Sequence, residues 1–166
     1  MRIIGIDPGT ATTGFGIIEN EHGSLRYIDA GVIITPPTDS MPQRLVTLHA
    51  ELAQVIAETN PDEAAVEQLF FATNVTTAIS VGQARGVILL ALAQAGLIAY
   101  EYTPMQIKQA VSGYGGAKKL QIQQMVKTLL KLPQLPRPDD AADGLAIAIT
   151  HAHQIALTVG APTHRA

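Results

Sequence analysis

Arg2-Ile3-Ile4-Gly5-Ile6-Asp7-Pro8-Gly9-Thr10 runs on through Ala11 and Thr12 into Thr13-Gly14-Phe15-Gly16-Ile17-Ile18. The β-branched run Ile3, Ile4, Ile6 reads as a buried strand, and that strand ends on a carboxylate. Pro8-Gly9 then turns the chain, because proline fixes φ and glycine tolerates positive φ. A second apolar strand follows, with Gly14 and Gly16 leaving bare backbone near the first. The stretch predicts a tight hairpin with Asp7 at or near a central strand. A buried acid there is costly unless something neutralises it. The bland alternative is that Asp7 caps the turn by bonding its own backbone. Three further acids in analogous positions favour a functional role.

Outward from the hairpin, Ser24 to Ile34 reads as a third strand, giving an antiparallel meander. Thr35-Pro36-Pro37-Thr38 breaks it. Leu45, Leu48, Leu52, Val55 and Ile56 follow helical spacing, so Met41 to Thr59 is one amphipathic helix, stopped by Asn60-Pro61. Ala64-Ala65-Val66 is a short buried strand that also ends on an acid, Glu67, followed by the apolar Leu69-Phe70-Phe71. Asn74 to Ala95 is helical and apolar on most of its surface. Such a helix needs cover on most of its surface, either from the core or from a partner subunit.

Gly96 to Tyr100 reads as a fifth strand, and Thr103-Pro104 opens a short helix holding Lys108. Ser112-Gly113-Tyr114-Gly115-Gly116 is a glycine-rich loop without the GxxxxGK[ST] of a nucleotide-binding loop. Lys118 to Lys131 returns to helix, with Leu120, Met125, Val126, Leu129 and Leu130 expected inward. Leu132 to Pro138 is a stiff connector. A last helix begins at Asp139 or Asp140 and runs past His151. The pattern predicts an α/β fold with a mixed five-stranded sheet, its first three strands antiparallel, flanked by helices.

The 166 residues are 47% apolar with mean hydropathy +0.20, which fits one globular domain over residues 1–166. No apolar run reaches the length of a membrane span, the N-terminus reads as a strand and not a signal peptide, and cysteine is absent. Together these lead us to expect a cytoplasmic protein without disulfides or thiolate metal sites. The net charge of −3 is unevenly spread: Arg85 to Arg137 carries +6 and the rest −9. This asymmetry suits a basic face beside an acidic pocket, or simply two helices with solvated surfaces.

Asp139-Asp140-Ala141-Ala142-Asp143-Gly144 opens the last helix. Residues three or four apart share a face, so Asp143 stands with Asp140 or with Asp139. An acid in the first turn can also serve as the cap. Two acids at strand ends and two on one helical face make an all-oxygen site, and hard carboxylates without cysteine select Mg²⁺ or Mn²⁺. Two such ions roughly 4 Å apart can activate water and stabilise the leaving oxygen in phosphodiester cleavage. His151 and His153 lie further along the helix and read as surface or packing residues.

Gly5-Ile6-Asp7-Pro8-Gly9 with Thr13-Gly14-Phe15-Gly16, then Val66-Glu67-Gln68-Leu69-Phe70, then Asp140-Ala141-Ala142-Asp143-Gly144-Leu145-Ala146-Ile147-Ala148 with His151 closely resemble the RuvC Holliday-junction resolvases. The likeness runs over essentially the whole chain. It implies an RNase H-like fold and a homodimer. It also implies Mg²⁺-dependent nicking of two opposed strands of a four-way DNA junction, leaving 5′-phosphate and 3′-hydroxyl ends, in recombination and repair. By motif, Asp7, Glu67, Asp140 and Asp143 would be the catalytic metal ligands, which leaves Asp139 the cap. Phe70 matches an aromatic near the junction centre, where it can stack on a base. Lys108 and Lys119 match residues that contact the backbone, with Arg85 and Lys118 as further DNA-binding candidates on the basic segment. Tyr114 stands where a lysine is common. A junction-binding protein and a hexameric branch-migration motor, of the RuvA and RuvB type, are the implied partners. The stretch Asp7-x-Gly9-Thr10-x-x-Thr13 also resembles the phosphate hairpin of sugar kinases and actin-like ATPases, which need two such domains. An RNA-processing nuclease of the same fold and a non-catalytic junction-binding scaffold remain as alternatives.

Overall fold

The computed structural model describes residues 1–68 and 75–159. Three strands come first: β1 (Arg2–Asp7), β2 (Thr12–Glu21) and β3 (Ser24–Ile34). Then follow α1 (Met41–Thr59), β4 (Glu63–Glu67), α2 (Val75–Gln94), β5 (Ala99–Tyr102), α3 (Pro104–Ser112), α4 (Lys119–Leu129) and α5 (Asp139–Val159). The sheet order is β3-β2-β1-β4-β5. β1 is therefore central, antiparallel to β2 and parallel to β4, while β2–β3 is antiparallel and β4–β5 parallel. This is the expected mixed sheet with an antiparallel meander.

Side chains alternate across the sheet, as the two-residue period of a strand requires. Ile4, Ile6, Phe15, Ile17, Ala64 and Val66 pack with α1 and α2 on one face. Ile3, Ile18 and Ala65 pack with α3, α4 and α5 on the other. The second face has few bulky side chains at its centre, because Gly5 lies opposite Gly16 in the β1–β2 register and Asp7 opposite Gly14. These glycines are needed for the approach of α5. A Cβ at Gly5 would overlap the Gly144 carbonyl oxygen, one at Gly14 the Asp140 carbonyl oxygen, and one at Gly16 the Leu145 amide nitrogen. On the helix side, a Cβ at Gly144 would stand 2.5 Å from Phe15 C and 2.6 Å from Gly16 N. α5 thus rests backbone to backbone on the hairpin, and Gly14 and Gly16 serve this contact more than the approach of β1.

Several boundaries differ from the sequence reading. Gly9 lies outside the left-handed region; it is required because a Cβ there would overlap the Thr12 carbonyl oxygen. The fifth strand begins at Ala99 instead of Gly96. Gly96, with φ of 75°, ends α2: its amide donates to Ala93 O at 3.0 Å and that of Leu97 to Leu92 O at 2.9 Å. That is the hydrogen-bond pattern of a glycine-terminated helix, so local capping outcompetes the apolar run that read as strand. Lys131, with φ of 52°, ends α4 in the same way through Leu132 N to Lys127 O. Leu120, expected inward, is 55% exposed, while Ile122, Val126 and Leu130 are buried. Asp139 is the first residue of α5 and not its cap: the amides of Ala141 and Ala142 donate to Pro138 O. Among the described residues, no helix is long and apolar enough to cross a membrane.

Candidate active site

β1 and β4 run parallel and side by side, with Ile6 opposite Val66. Their terminal residues Asp7 and Glu67 therefore project from the same sheet end, on the α5 face. The glycine floor brings the first turn of α5 down onto that end, and Asp140 and Asp143, one helical turn apart, arrive over it. Carboxylate oxygens of Asp7, Asp140 and Asp143 lie within 4.8 Å of one another. Glu67 joins through a hydrogen bond with Asp7. All four expected acids thus converge.

The electrostatics follow from this crowding. Burial, then the charge of and hydrogen bond with Glu67, then Asp143 and Asp140, push Asp7 up to about 8. Burial also raises Glu67, opposed by the Asp7 hydrogen bond and by Lys108. Burial raises Asp143 as well, opposed by Lys119. Both members of the Asp7–Glu67 pair are thus pushed upward and compete for one proton, because two adjacent carboxylates cannot both ionise cheaply. A divalent cation would remove that constraint. The donor set is all oxygen, hard and anionic, and three of its members are close enough to share one ion, which suits Mg²⁺ or Mn²⁺.

A cavity of about 320 Å³ opens at the cluster. It is lined by the acids Asp7, Glu67 and Asp143, the bases Lys108 and Lys119, and the apolar Ile107, Ile122 and Ile147. Lys108 is placed by α3, whose start is fixed by reciprocal bonds: Gln106 N donates to Thr103 Oγ1 at 3.2 Å and Thr103 N to Gln106 Oε1 at 2.8 Å. Lys119 opens α4, and its Nζ lies 3.1 Å from Asp143 Oδ2 and 3.8 Å from Asp139 Oδ2. Burial pulls its pKa down, but the hydrogen bond to Asp143 and the neighbouring acids outweigh this and raise it.

The other candidates lie elsewhere. Lys118 is exposed and does not line the cavity. Arg85, on α2, pairs with Glu101 at 2.6 Å and is 19% exposed, so its guanidinium is engaged within the fold. Tyr114 is 66% exposed in the α3–α4 loop. Phe70 lies outside the described residues. A network that the sequence does not announce lies on the same helix: His151, 1% exposed, bonds Glu63 Oε2 through Nε2 and the Tyr102 hydroxyl through Nδ1, both at 2.7 Å. It is a packing residue, as expected, but with specific partners. The series Asp140, Asp143, Ile147, His151, with steps of three, four and four residues, puts it on the helix face of the acids and was the available signal.

The family model "Crossover junction endodeoxyribonuclease RuvC" matches residues 3–151. The chain belongs to the RuvC family. It is accordingly a crossover junction endodeoxyribonuclease, a phosphodiester hydrolase with an RNase H-like fold. Relatives of that name include one from Chloroflexus aggregans, 58% identical over 92% of this chain and 93% of its own length. Another, from Rubrobacter xylanophilus, is 55% identical over 99% and 93%. Among solved structures, Thermus thermophilus RuvC in complex with a Holliday junction substrate superposes with a TM-score of 0.90 at 37% identity, covering 95% of this chain and 96% of that one. The match spans β1, β4 and α5, so the RuvC assignment covers every element that supplies an acid.

Proposed function

We propose that this RuvC enzyme resolves four-way (Holliday) junctions in recombination and repair by nicking two opposed strands at the Asp7–Glu67–Asp140–Asp143 cluster, within a single nuclease domain of residues 1–166. The convergence of these four acids, three of them lining one open cavity with two lysines, carries the reading. The acids would hold two divalent ions, Mg²⁺ with Mn²⁺ able to substitute. When bound, such ions polarise the scissile phosphate and make an attacking water available near neutral pH.

The chain's own residues do the rest. Asp7 and Glu67 must give up their shared proton to act as ligands, because a protonated carboxyl binds a cation poorly. Lys108, which lines the same cavity, and the Lys119 ammonium would hold a backbone phosphate beside the acids. Such contacts position DNA without reading its sequence. Phe70 is assigned to base stacking at the junction centre, and Lys118 and Arg85 to the wider basic field. Paired cuts need two sites, and α2 supports a homodimer: Ile79 and Leu90 remain 60% and 53% exposed on it, while Ala84, Ile88 and Leu92 face the core. A junction-binding protein and a hexameric branch-migration motor would be the cytoplasmic partners.

The test is incubation with Mg²⁺ and a synthetic four-way junction beside a matched linear duplex. Paired nicks in opposed strands of the junction, ligatable afterwards, are expected. Equal cutting of the duplex, or junction binding without nicks, would overturn the reading. Sedimentation at micromolar concentration should show a dimer; a monomer both free and on the junction would remove paired nicking by one assembly.

A further inference from the structure

The ammonium of Lys119 occupies the carboxylate that a divalent cation needs. Asp143 Oδ2 accepts from Lys119 Nζ at 3.1 Å, and Asp143 is one of the three acids whose oxygens converge for an ion. Lys119 is also 51% exposed at the mouth of the cavity, on the first residue of a helix that packs directly against α5. Its ammonium lies 3.1 Å from Asp143 and 3.8 Å from Asp139, and its exposed side leaves it open to a backbone phosphate arriving from outside. Carboxylate and phosphate are both hard oxygen anions that accept charge-assisted hydrogen bonds from an ammonium. A flexible stem with a compact charge suits exchange between them. Lys108 lines the same cavity, but no ion pair joins it to the acids among the described residues.

We propose that Lys119 is a placeholder cation: without DNA it holds Asp143 and weakens divalent-metal binding there, and a backbone phosphate draws it away and frees Asp143 for the metal. Metal loading is thereby coupled to substrate capture. The coupling is reciprocal by thermodynamic necessity, so metal also releases Lys119 to the phosphate. The device keeps a metal-loaded nuclease site from forming ahead of its substrate. It rests on the reading of the acid cluster as the metal site.

The experiment is equilibrium Mn²⁺ binding to the full chain, followed by the electron paramagnetic resonance signal of free Mn²⁺. It is run without DNA and with a four-way junction whose scissile linkages are charged, non-hydrolysable phosphonates. Without DNA, Lys119→Met should bind Mn²⁺ about tenfold more tightly than wild type, within the usual range for coupled sites. Lys118→Met removes the same charge one residue away and should change affinity less than about twofold, as expected of an exposed, screened charge. Lys119→Arg keeps the cation and should stay near wild type. On adding the junction, wild type should gain more affinity than Lys119→Met. If Lys119→Met and Lys118→Met bind Mn²⁺ alike without DNA, the placeholder role is wrong. The Asp7→Asn variant tests the underlying reading separately: it should lose the Mn²⁺ site, and unchanged binding there would refute the acid cluster as the metal site whatever Lys119 does. Melting temperatures taken alongside establish that each variant is folded.

Discussion

β4 and α5 meet at two ends, and the two ends treat a glutamate in opposite ways. At the start of β4, Glu63 accepts from His151 Nε2 at 2.7 Å, and His151 Nδ1 accepts from the Tyr102 hydroxyl at 2.7 Å; both imidazole nitrogens have a partner. At the end of β4, Glu67 faces Asp7, with Asp143 and Asp140 close by, and the acids have too few cations. The same strand and the same helix thus carry a satisfied network and a frustrated one, about three helical turns apart. A satisfied buried network rigidifies its surroundings. A cluster of like charges costs stability until an ion arrives. The difference assigns the labour: the Glu63–His151–Tyr102 end and the glycine floor hold α5 in place, and that fixed position keeps the acids together against their repulsion.

The largest effects should come from relieving the frustrated end. Asp7→Asn removes a metal ligand, and junction cleavage should fall at least about a thousandfold, or roughly 4 kcal/mol of barrier, with junction binding retained. The metal-free variant should nevertheless melt higher. The sign follows from linkage: Asp7 is raised from 3.8 to about 8, so its contribution to stability is fully present below the unfolded value and lost as pH rises through the folded one. Metal-free wild type should therefore lose melting temperature between about pH 4 and pH 8, and Asp7→Asn should flatten that slope. A slope that survives the substitution would place the repulsion elsewhere in the cluster.

Next in size is the floor. Gly144→Ala puts a methyl 2.5 Å from Phe15 C, where neither backbone can yield alone. Overpacking of this kind costs about 3 kcal/mol, occasionally more, and it should lift α5 from the hairpin. Thermal melts and nicking rates should fall together. Were Gly144→Ala to lose stability while cutting at the wild-type rate, the position of α5 would not be what gathers the acids.

Much of this was legible because it is local. The strand that ends on Asp7, the helix from Met41 to Thr59, and the three-residue spacing of Asp140 and Asp143 are periodic patterns, and the four acids converge as their motifs implied. What the sequence hid depends on contacts between distant segments. Gly14 and Gly16 look like a bare strand surface until Asp140 and Leu145, over a hundred residues away, are laid on them. The charge run from Arg85 to Arg137 looks like one basic face, yet Arg85 pairs with Glu101 while Lys119 reaches Asp143. Partner choice of that kind is set by tertiary geometry and leaves no periodic trace. Gly96 misled for the opposite reason: a local helix-capping pattern overrode an apolar run that reads as strand.

The smallest effect tests the satisfied end. Tyr102→Phe deletes the hydroxyl that donates to His151 Nδ1 and keeps the ring, so the loss is one neutral hydrogen bond and an acceptor left buried, about 1–2 kcal/mol. Burial lowers the pKa of His151 from 6.5, against the opposing pull of Glu63. Its contribution to stability is present above the unfolded value and lost as pH falls through the folded one, opposite in sense to Asp7. Without the Tyr102 hydroxyl, Nδ1 is free to take a proton, and the imidazolium would pair with Glu63. The variant's deficit in melting temperature should therefore be largest near pH 8 and shrink toward pH 5, while nicking at pH 8 stays within a few-fold of wild type. A deficit that is constant with pH would mean that the hydroxyl acts by packing alone. A collapse of nicking with stability intact would mean that this end reaches the acids by more than holding α5 in place.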